Sequence, residues 1–293
     1  MSRTYKARGI TLKTMPLGEA DRILTILTPD RGLIRAVAPG SRKHQSRLGG
    51  RSDLFVMNDW LVAQGKHLDK VVQAETARTF PKLSQDLGRL TASQYLAEIV
   101  LCMALNDGSQ AELYHLFVEH LERIETSPPG ALLAALTHGL YHLLALAGVA
   151  PEVHRCCLSQ EAIIPNLLDA AWTVGFSAQA GGLVHWSALA PGTGATPWKS
   201  QETPGGYATG TRHRGSTTQS LNAMEVVLLQ QLSKPELITT LPVLPDALAA
   251  MAAQNPQGVW AKLEHLLRQY AQDYFERPIR SAALIDVCFA TVE

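Results

Sequence analysis

The hydrophobic period of this chain changes once, at Phe80-Pro81, and that change restricts it to a β-rich head joined to a helical body. Before that point apolar residues alternate, or cluster in short runs bounded by turn residues, as in half-buried strands. Gly9-Ile10-Thr11-Leu12-Lys13 alternates, and Arg22-Ile23-Leu24-Thr25-Ile26-Leu27-Thr28 is rich in strand formers. The latter ends at Pro29-Asp30-Arg31-Gly32. Proline presets φ there, aspartate bonds back to the backbone and glycine accepts a positive φ, so a tight turn is predicted. Leu33–Ala38 then returns as the second arm of a hairpin, and two further strands are predicted around Leu54–Ala63 and Leu68–Thr79. Five short strands in so little chain suit a small closed barrel better than an open sheet with exposed edges.

After Phe80-Pro81 the spacing becomes helical. Leu87, Leu90, Tyr95, Leu96, Ile99, Val100 and Met103 mark one helix, Ala111–Ile124 a second and the apolar Ala131–Ala147 a third, which Gly148 and Pro151 end. Residues 152–220 are irregular, and 190–220 is dense in Gly, Thr, Ser and Pro, which predicts a mobile loop. Helical spacing resumes at Leu221–Leu232, near Pro245–Ala253 and at Val259–Phe275. The fold class expected is α+β and multidomain. It has a nucleic-acid-binding OB-type barrel at 1–80, a helical domain at 81–151 and 221–293, and an inserted module with a flexible loop at 152–220. Apolar runs fall short of the ~20 residues that span a bilayer, and the N-terminus lacks the apolar core of a signal peptide. The expected location is cytoplasmic, where Cys102, Cys156, Cys157 and Cys288 stay reduced.

Charge separates the same two halves. The first 82 residues hold 15 of the 26 Lys and Arg but 7 of the 26 Asp and Glu, so a net charge of zero conceals a head at +8 and a body at −8. Such asymmetry points to a polyanion on the head. The densest run, Arg42-Lys43-His44-Gln45-Ser46-Arg47-Leu48-Gly49-Gly50-Arg51, reads as an exposed loop able to neutralise phosphates. Arg35, Arg42, Lys43, Arg47 and Arg51 are the expected phosphate contacts, with Arg31 and Lys66 beside them. A solvated loop without a ligand is the plain alternative. A membrane surface fits less well, since neither an amphipathic helix nor an apolar wedge accompanies the charge. Phe55 and Trp60 lie in an apolar strand and read as core residues rather than base-stacking platforms.

Catalytic and metal readings are weak. Glu19 and Asp21 flank a turn next to Arg22 without a nucleophile or histidine, which suits salt bridges or turn bonds. His138 and His142 are one turn apart in an apolar helix and read as core or boundary residues. His154, Cys156 and Cys157 lack the second ligand pair that a structural zinc requires. A nuclease or nucleotidyl transferase needs clustered carboxylates for Mg²⁺, and the basic half has none.

The stretches Gly9–Thr14, Leu17-Gly18-Glu19-Ala20-Asp21-Arg22-Ile23-Leu24-Thr25, Thr28–Gly32, Ala36–Lys43, Ser46–Gly50 and Gln73-Ala74-Glu75 form a specific set. Together they resemble the bacterial recombination mediator family RecO. Leu144–Pro151, Phe176-Ser177, Gly181-Gly182 and Arg277-Pro278-Ile279-Arg280-Ser281 extend the likeness over nearly the whole chain. The resemblance implies an OB-type barrel, a helical domain with a zinc-finger-like insertion, and no catalytic site or cofactor. It implies binding of single- and double-stranded DNA and annealing of complementary strands. It also implies partnership with RecR and with the acidic, aromatic tail of single-strand-binding protein, and assistance to RecA, with no membrane partner. Arg123 and Arg268 are the expected basic rim for that tail. The family's four-cysteine zinc pattern is degenerate: Cys156 matches its first position, but Ser159, His185 and Ala188 occupy the others. A metal-free module is therefore expected, packed through Leu167, Trp172, Phe176 and Trp186. The rival reading is a non-catalytic OB-fold adaptor for RNA or an acidic protein.

Overall fold

A 14-residue first strand, β1 (Thr4–Leu17), serves two neighbours at once. Its first half pairs antiparallel with β4 (Met57–Ala63) and its second half with β2 (Asp21–Thr28), across a register shift between Thr11 and Lys13. Such a shift adds local bend and twist, which lets one strand close a sheet on itself. With β3 (Gly32–Ala38) and β5 (Asp69–Arg78) the order is β1-β2-β3-β5-β4 in a closed barrel. The predicted OB-type architecture is thus present in this computed structural model, which describes residues 4–106, 108–189, 218–236 and 256–289. The 190–217 part of the Gly/Thr/Ser/Pro-rich run and the helical spacing predicted near 245–253 lie outside the described residues.

Alternation along the strands puts Leu24, Ile26, Ile34, Ala36, Trp60, Val62, Val71 and Ala74 into the barrel interior. Trp60 is buried and its indole N–H donates to the Gly9 carbonyl at 3.3 Å, and Phe55 is also buried, so both are core residues as expected. Gly9 carries no side chain because a Cβ there would lie 2.6 Å from Ile26 Cγ2 and 2.7 Å from the Leu27 carbonyl.

The chain divides into two compact units, residues 1–147 with 260–293, and residues 148–259. In the first unit the barrel carries helices α1 (Pro81–Gln85), α2 (Leu87–Met103), α3 (Ala111–Thr126), α4 (Leu132–Leu146), the C-terminal part of α6 (Pro256–Phe275), and α7 (Ala282–Cys288). Helix α4 is apolar on every side because α2 and α3 both pack against it and it is buried nearly throughout. The segment Pro129–Leu146 is long and apolar enough, by length and composition, to cross a membrane, contrary to the reading of the sequence; two-thirds of it is buried inside the protein.

The predicted hairpin turn supplies the joint between barrel and helices. Gly32 has φ of +68°, and the Leu33 N–H donates to the Leu105 carbonyl at 2.9 Å. A Cβ at Gly32 would stand 2.4 Å from that same carbonyl oxygen. Gly32→Ala therefore combines a left-handed backbone with a clash against main chain, and a loss of about 3 kcal/mol is expected in urea unfolding.

Three histidines meet between α3 and α4. His120 and His138 are fully buried, and His120 Nε2 lies 3.2 Å from His142 Nδ1. Burial, aided by the neighbouring His142, His138 and Arg123, pushes the pKa of His120 down to about 2. His120 thus stays neutral when folded but takes a proton when unfolded below its ordinary value of about 6.5. Stability is full above that pH and falls beneath it, by up to about 1.4 kcal/mol per pH unit from this residue. Urea titrations from neutral to mildly acidic pH should show that slope, and His120→Gln should flatten it. Glu264, whose pKa burial raises, works in the opposite direction.

In the second unit β6 (Thr173–Ser177) lies between β7 (Gly182–Val184) and β8 (Gln219–Asn222). Helix α5 (Ala223–Gln231) follows β8 directly, started by a capping box between Asn222 and Glu225. Gln230 Nε2 donates to the carbonyls of Val153 and Ile163 and ties that helix to the loops before the sheet. Phe176 is buried as expected, whereas Leu167 and Trp172 are half-buried and Trp186 is exposed. Val153, Ile163, Val174, Leu183 and Leu221 form the packing in their place.

Candidate nucleic-acid interface

The 39–56 connection between β3 and β4 is long, yet its backbone is tied down turn by turn. N–H groups of Lys43, Ser46, Gly49 and Asp53 donate to the carbonyls of Gly40, Lys43, Ser46 and Gly50. Two further bonds fasten it to the β1–β2 turn. The Arg42 N–H donates to the Ala20 carbonyl at 2.9 Å, and the Gly40 N–H donates to Asp21 Oδ1 at 2.7 Å. Asp21 is therefore a loop clamp and not half of an acid–base pair, while Arg22 pairs with Asp53 at 2.7 Å.

Arg42, Lys43 and Arg47 are exposed on this loop and Arg51 is half-buried. Arg42 also donates to the Gly18 carbonyl and Arg51 to the Arg47 carbonyl, which orients two guanidiniums without neutralising them. Among the described residues, none of Arg35, Arg42, Lys43, Arg47 and Arg51 forms an ion pair with a carboxylate. Cations left unpaired on a hydrogen-bonded frame suit a polyanion, because they need not first be released from a carboxylate.

Strand register adds residues that the sequence reading does not single out. Thr25 faces Lys13 on one side and Arg35 on the other, so these three form a row across β1, β2 and β3. Their neighbours Leu24 and Ala36 are buried in the barrel, which turns this row outward. Two residues along, Met15, Ile23 and Val37 form a parallel outward row, and Lys70 of β5 pairs with Val37 at its far end. Lys13 and Lys70 are exposed and enlarge the basic face. Their signal is present in the outward positions of each strand, but which strands lie side by side is a matter of topology.

The remaining expected contacts lie apart from the loop. Arg31 sits at the opposite end of the β2–β3 hairpin, its guanidinium 4.5 Å from the Tyr5 ring centroid. Lys66 is exposed in the β4–β5 turn. Arg123, half-buried on α3, pairs with the exposed Glu119 and lies 2.9 Å from His138 Nδ1. A guanidinium only donates, so that nitrogen accepts and the His138 proton sits on Nε2. Arg268 is buried between Glu264 and Asp286 at 2.9 and 2.6 Å. The two residues expected to rim a peptide groove are thus both engaged in ion pairs, Arg268 in the interior and Arg123 near the surface. A groove of about 700 Å³ does exist in this unit, walled by Leu12, Leu54, Ile99, Leu101, Phe275 and Ile279, with Lys13, Arg277 and Arg280 at its edge.

The zinc pattern fares no better in space than in sequence. Cys156 Sγ accepts N–H bonds from Ser159 at 3.3 Å and His185 at 3.2 Å, the geometry of a metal knuckle in which backbone donors hold the sulfur. The side chains brought to the other positions are Ser159, His185 and Ala188. Among the described residues no three His, Cys, Asp or Glu are arranged to hold a metal, so this donor set does not fit the family's zinc.

A closed five-stranded barrel with a cationic loop and appended helices has the OB-type architecture common among nucleic-acid-binding proteins. Residues 1–80 match the family Recombination protein O N terminal, and residues 84–190 match Recombination protein O C terminal. A protein of Nostoc sp. (strain PCC 7120 / SAG 25.82 / UTEX 2576) called DNA repair protein RecO is 48% identical, over 99% of this chain and 98% of its own. Its namesakes in Nostoc punctiforme (strain ATCC 29133 / PCC 73102) and Gloeothece citriformis (strain PCC 7424) are 49% and 48% identical, each covered to 98%. The chain belongs to the RecO family of DNA repair proteins.

Proposed function

We propose that this protein is a recombination mediator that binds single- and double-stranded DNA through the barrel and anneals complementary strands. With RecR it assists RecA onto strands coated by single-strand-binding protein. The observation that carries the reading is the set of cations at Arg35, Arg42, Lys43, Arg47 and Arg51, without carboxylate partners among the described residues, on an ordered frame. Neutralising phosphates of two strands together lowers their repulsion, which favours pairing without any bond being made or broken. The protein is accordingly a binding protein and not an enzyme, working in the cytoplasm at the nucleoid without a cofactor. The acidic, aromatic tail of single-strand-binding protein finds its chemical complement in the groove edged by Lys13, Arg277 and Arg280 and walled by Phe275 and Ile279. That groove replaces Arg123 and Arg268 as the expected dock.

Annealing of complementary oligonucleotides, followed against salt, is the test. Acceleration over the spontaneous rate, with DNA affinity falling steeply as salt rises, is the expected result. Tighter binding of RNA than of DNA, without annealing, would favour the adaptor reading instead. For the groove, Arg277→Glu with Arg280→Glu is expected to abolish binding of the tail peptide while leaving oligonucleotide affinity within about threefold.

A further inference from the structure

We infer that Phe55 is a positioning residue for the phosphate contacts: its left-handed backbone, locked between β1 and α3, sets where the exit half of the cationic loop holds Arg47 and Arg51. The inference rests on the proposed DNA-binding function and deepens it.

The starting observation is a backbone outlier. Phe55 has φ of +61°, a region that a bulky residue rarely enters because its Cβ crowds the following carbonyl oxygen. Such a conformation persists only where the surroundings over-determine it, and it gathers at functional segments. The other non-glycine residues with positive φ among the described ones, Gln160 and Glu276, are exposed, whereas Phe55 is buried. Two sets of contacts hold it. The Phe55 N–H donates to the Thr11 carbonyl at 2.9 Å, and the Thr11 N–H donates to the Val56 carbonyl at 3.2 Å. These bonds clasp the residue to β1 at its register shift. The ring centroid lies 6.4 Å from that of Phe117, itself wholly buried on α3. A barrel strand thus grips the backbone and a helix grips the side chain.

The segment fixed in this way carries the cations. Gly50–Ser52 form a single 3-10 turn, and the Ser52 N–H donates to the Leu48 and Gly49 carbonyls. Arg51 lies within that turn. Its carbonyl accepts from Asn58 Nδ2 at 2.9 Å, and its guanidinium donates to the Arg47 carbonyl. Only Asp53 and Leu54 separate the turn from Phe55. One left-handed residue at 55 bends the chain from the turn into β4. In an extended conformation there, the turn leaves its place and takes Arg51 and Arg47 with it. The loop entrance has its own clamps, Asp21 on the Gly40 N–H and the Ala20 carbonyl on the Arg42 N–H. Arg42 and Lys43 are therefore set from the β1–β2 turn, and Arg47 and Arg51 from Phe55. Cations held this way meet phosphates without a further loss of loop entropy. An apolar plug alone needs volume and is indifferent to φ, whereas a fixed loop exit depends on it.

The test compares Phe55→Ala with Phe55→Gly in the full chain. Both remove the ring, but only glycine enters the left-handed region without strain. Anisotropy of a fluorescein-labelled duplex and of labelled oligo(dT) reads affinity, and the rate of trypsin cleavage after Arg47 and Arg51 reads loop order. Phe55→Gly is expected to bind both DNAs within about threefold of the unaltered protein. Phe55→Ala is expected to bind both about tenfold more weakly than the glycine variant, the factor that a left-handed alanine's penalty gives, and to be cleaved faster after Arg47 and Arg51. Equal affinities or equal cleavage rates for the two folded variants would overturn the inference. If a urea midpoint shows that either fails to fold, Phe117→Leu decides. It keeps apolar volume on α3 and removes the ring that faces Phe55. A loss of about threefold in DNA affinity with faster cleavage after Arg51 is expected, and no change in either would overturn the inference. A flat salt slope in the unaltered protein would instead overturn the proposed DNA-binding function, and the cleavage rates would still report on the loop.

Discussion

Replacing Arg42, Lys43, Arg47 and Arg51 together by alanine is expected to weaken DNA binding by about 10²–10³-fold at physiological salt. The magnitude follows from counterion release. Each phosphate neutralised contributes about 0.9 to the salt slope on duplex and about 0.7 on single strands. Four lost contacts remove roughly 3.6 and 2.8 from those slopes, which at about 0.15 M salt is close to three and somewhat over two powers of ten. The loss should be nearly independent of base sequence, since phosphates carry none. Folding should suffer little. Among the described residues none of the four is in an ion pair, and the bonds from Arg42 to Gly18 and from Arg51 to Arg47 are worth about 1 kcal/mol each. Fluorescence anisotropy against salt, together with a urea midpoint, measures both quantities. Unchanged affinity and annealing would remove the loop from the interface.

The largest stability effect is expected from Arg268→Ala, a loss of about 3–5 kcal/mol. Arg268 holds Glu264 and Asp286, and Glu264 is almost wholly buried in the first unit. Burial pushes the pKa of Glu264 up, and the Arg268 guanidinium beside it restrains the rise. The hydrogen bond from Arg268 holds the pKa of Asp286 down. Burial and Glu264 also keep the Tyr95 hydroxyl well above its ordinary value, so it stays neutral beside the carboxylate. Without Arg268 the Glu264 carboxylate is stranded, and it escapes only by taking up a proton. A folded pKa raised in this way gives stability below it that is lost as pH rises through it. The deficit of the variant should therefore shrink as pH is lowered toward the ordinary carboxylate range. Replacing the pair, Glu264→Leu with Arg268→Leu, should recover most of the loss, because it removes the buried charge along with its partner. Equal deficits for the single and double variants would show that Arg268 contributes by packing alone.

The two predictions differ in how far the sequence carries them. The 42–51 loop is visible there because charge density is a local property. Its place between two strands follows from alternation and from the turn chemistry of Pro29–Gly32. The barrel is legible for the same reason, since period-two patterning and Gly/Pro punctuation are written in consecutive residues. Arg268 is misread because a lone cation in an amphipathic helix looks like a surface charge. Its partner Asp286 is 18 positions away on another helix, and the burial of Glu264 depends on what packs over it. His120 escapes notice for the same reason. Its neighbours His138 and His142 stand out as a pair, but the third ring arrives from α3.

The sequence reading left the β6–β8 sheet as irregular chain. By itself the sequence determined the five barrel strands, helices α2 to α4, the division of charge, the cationic loop, the degenerate zinc pattern and the family. Each is carried by residues close together in the chain. Tertiary structure alone decided which cations are unpaired and which are locked in ion pairs, where an apolar groove with a basic edge exists, and that Met15, Ile23 and Val37 stand in one row. Those facts depend on strand register and helix packing. Register joins residues 8 to 22 positions apart in β1, β2 and β3 through backbone hydrogen bonds that no local pattern specifies.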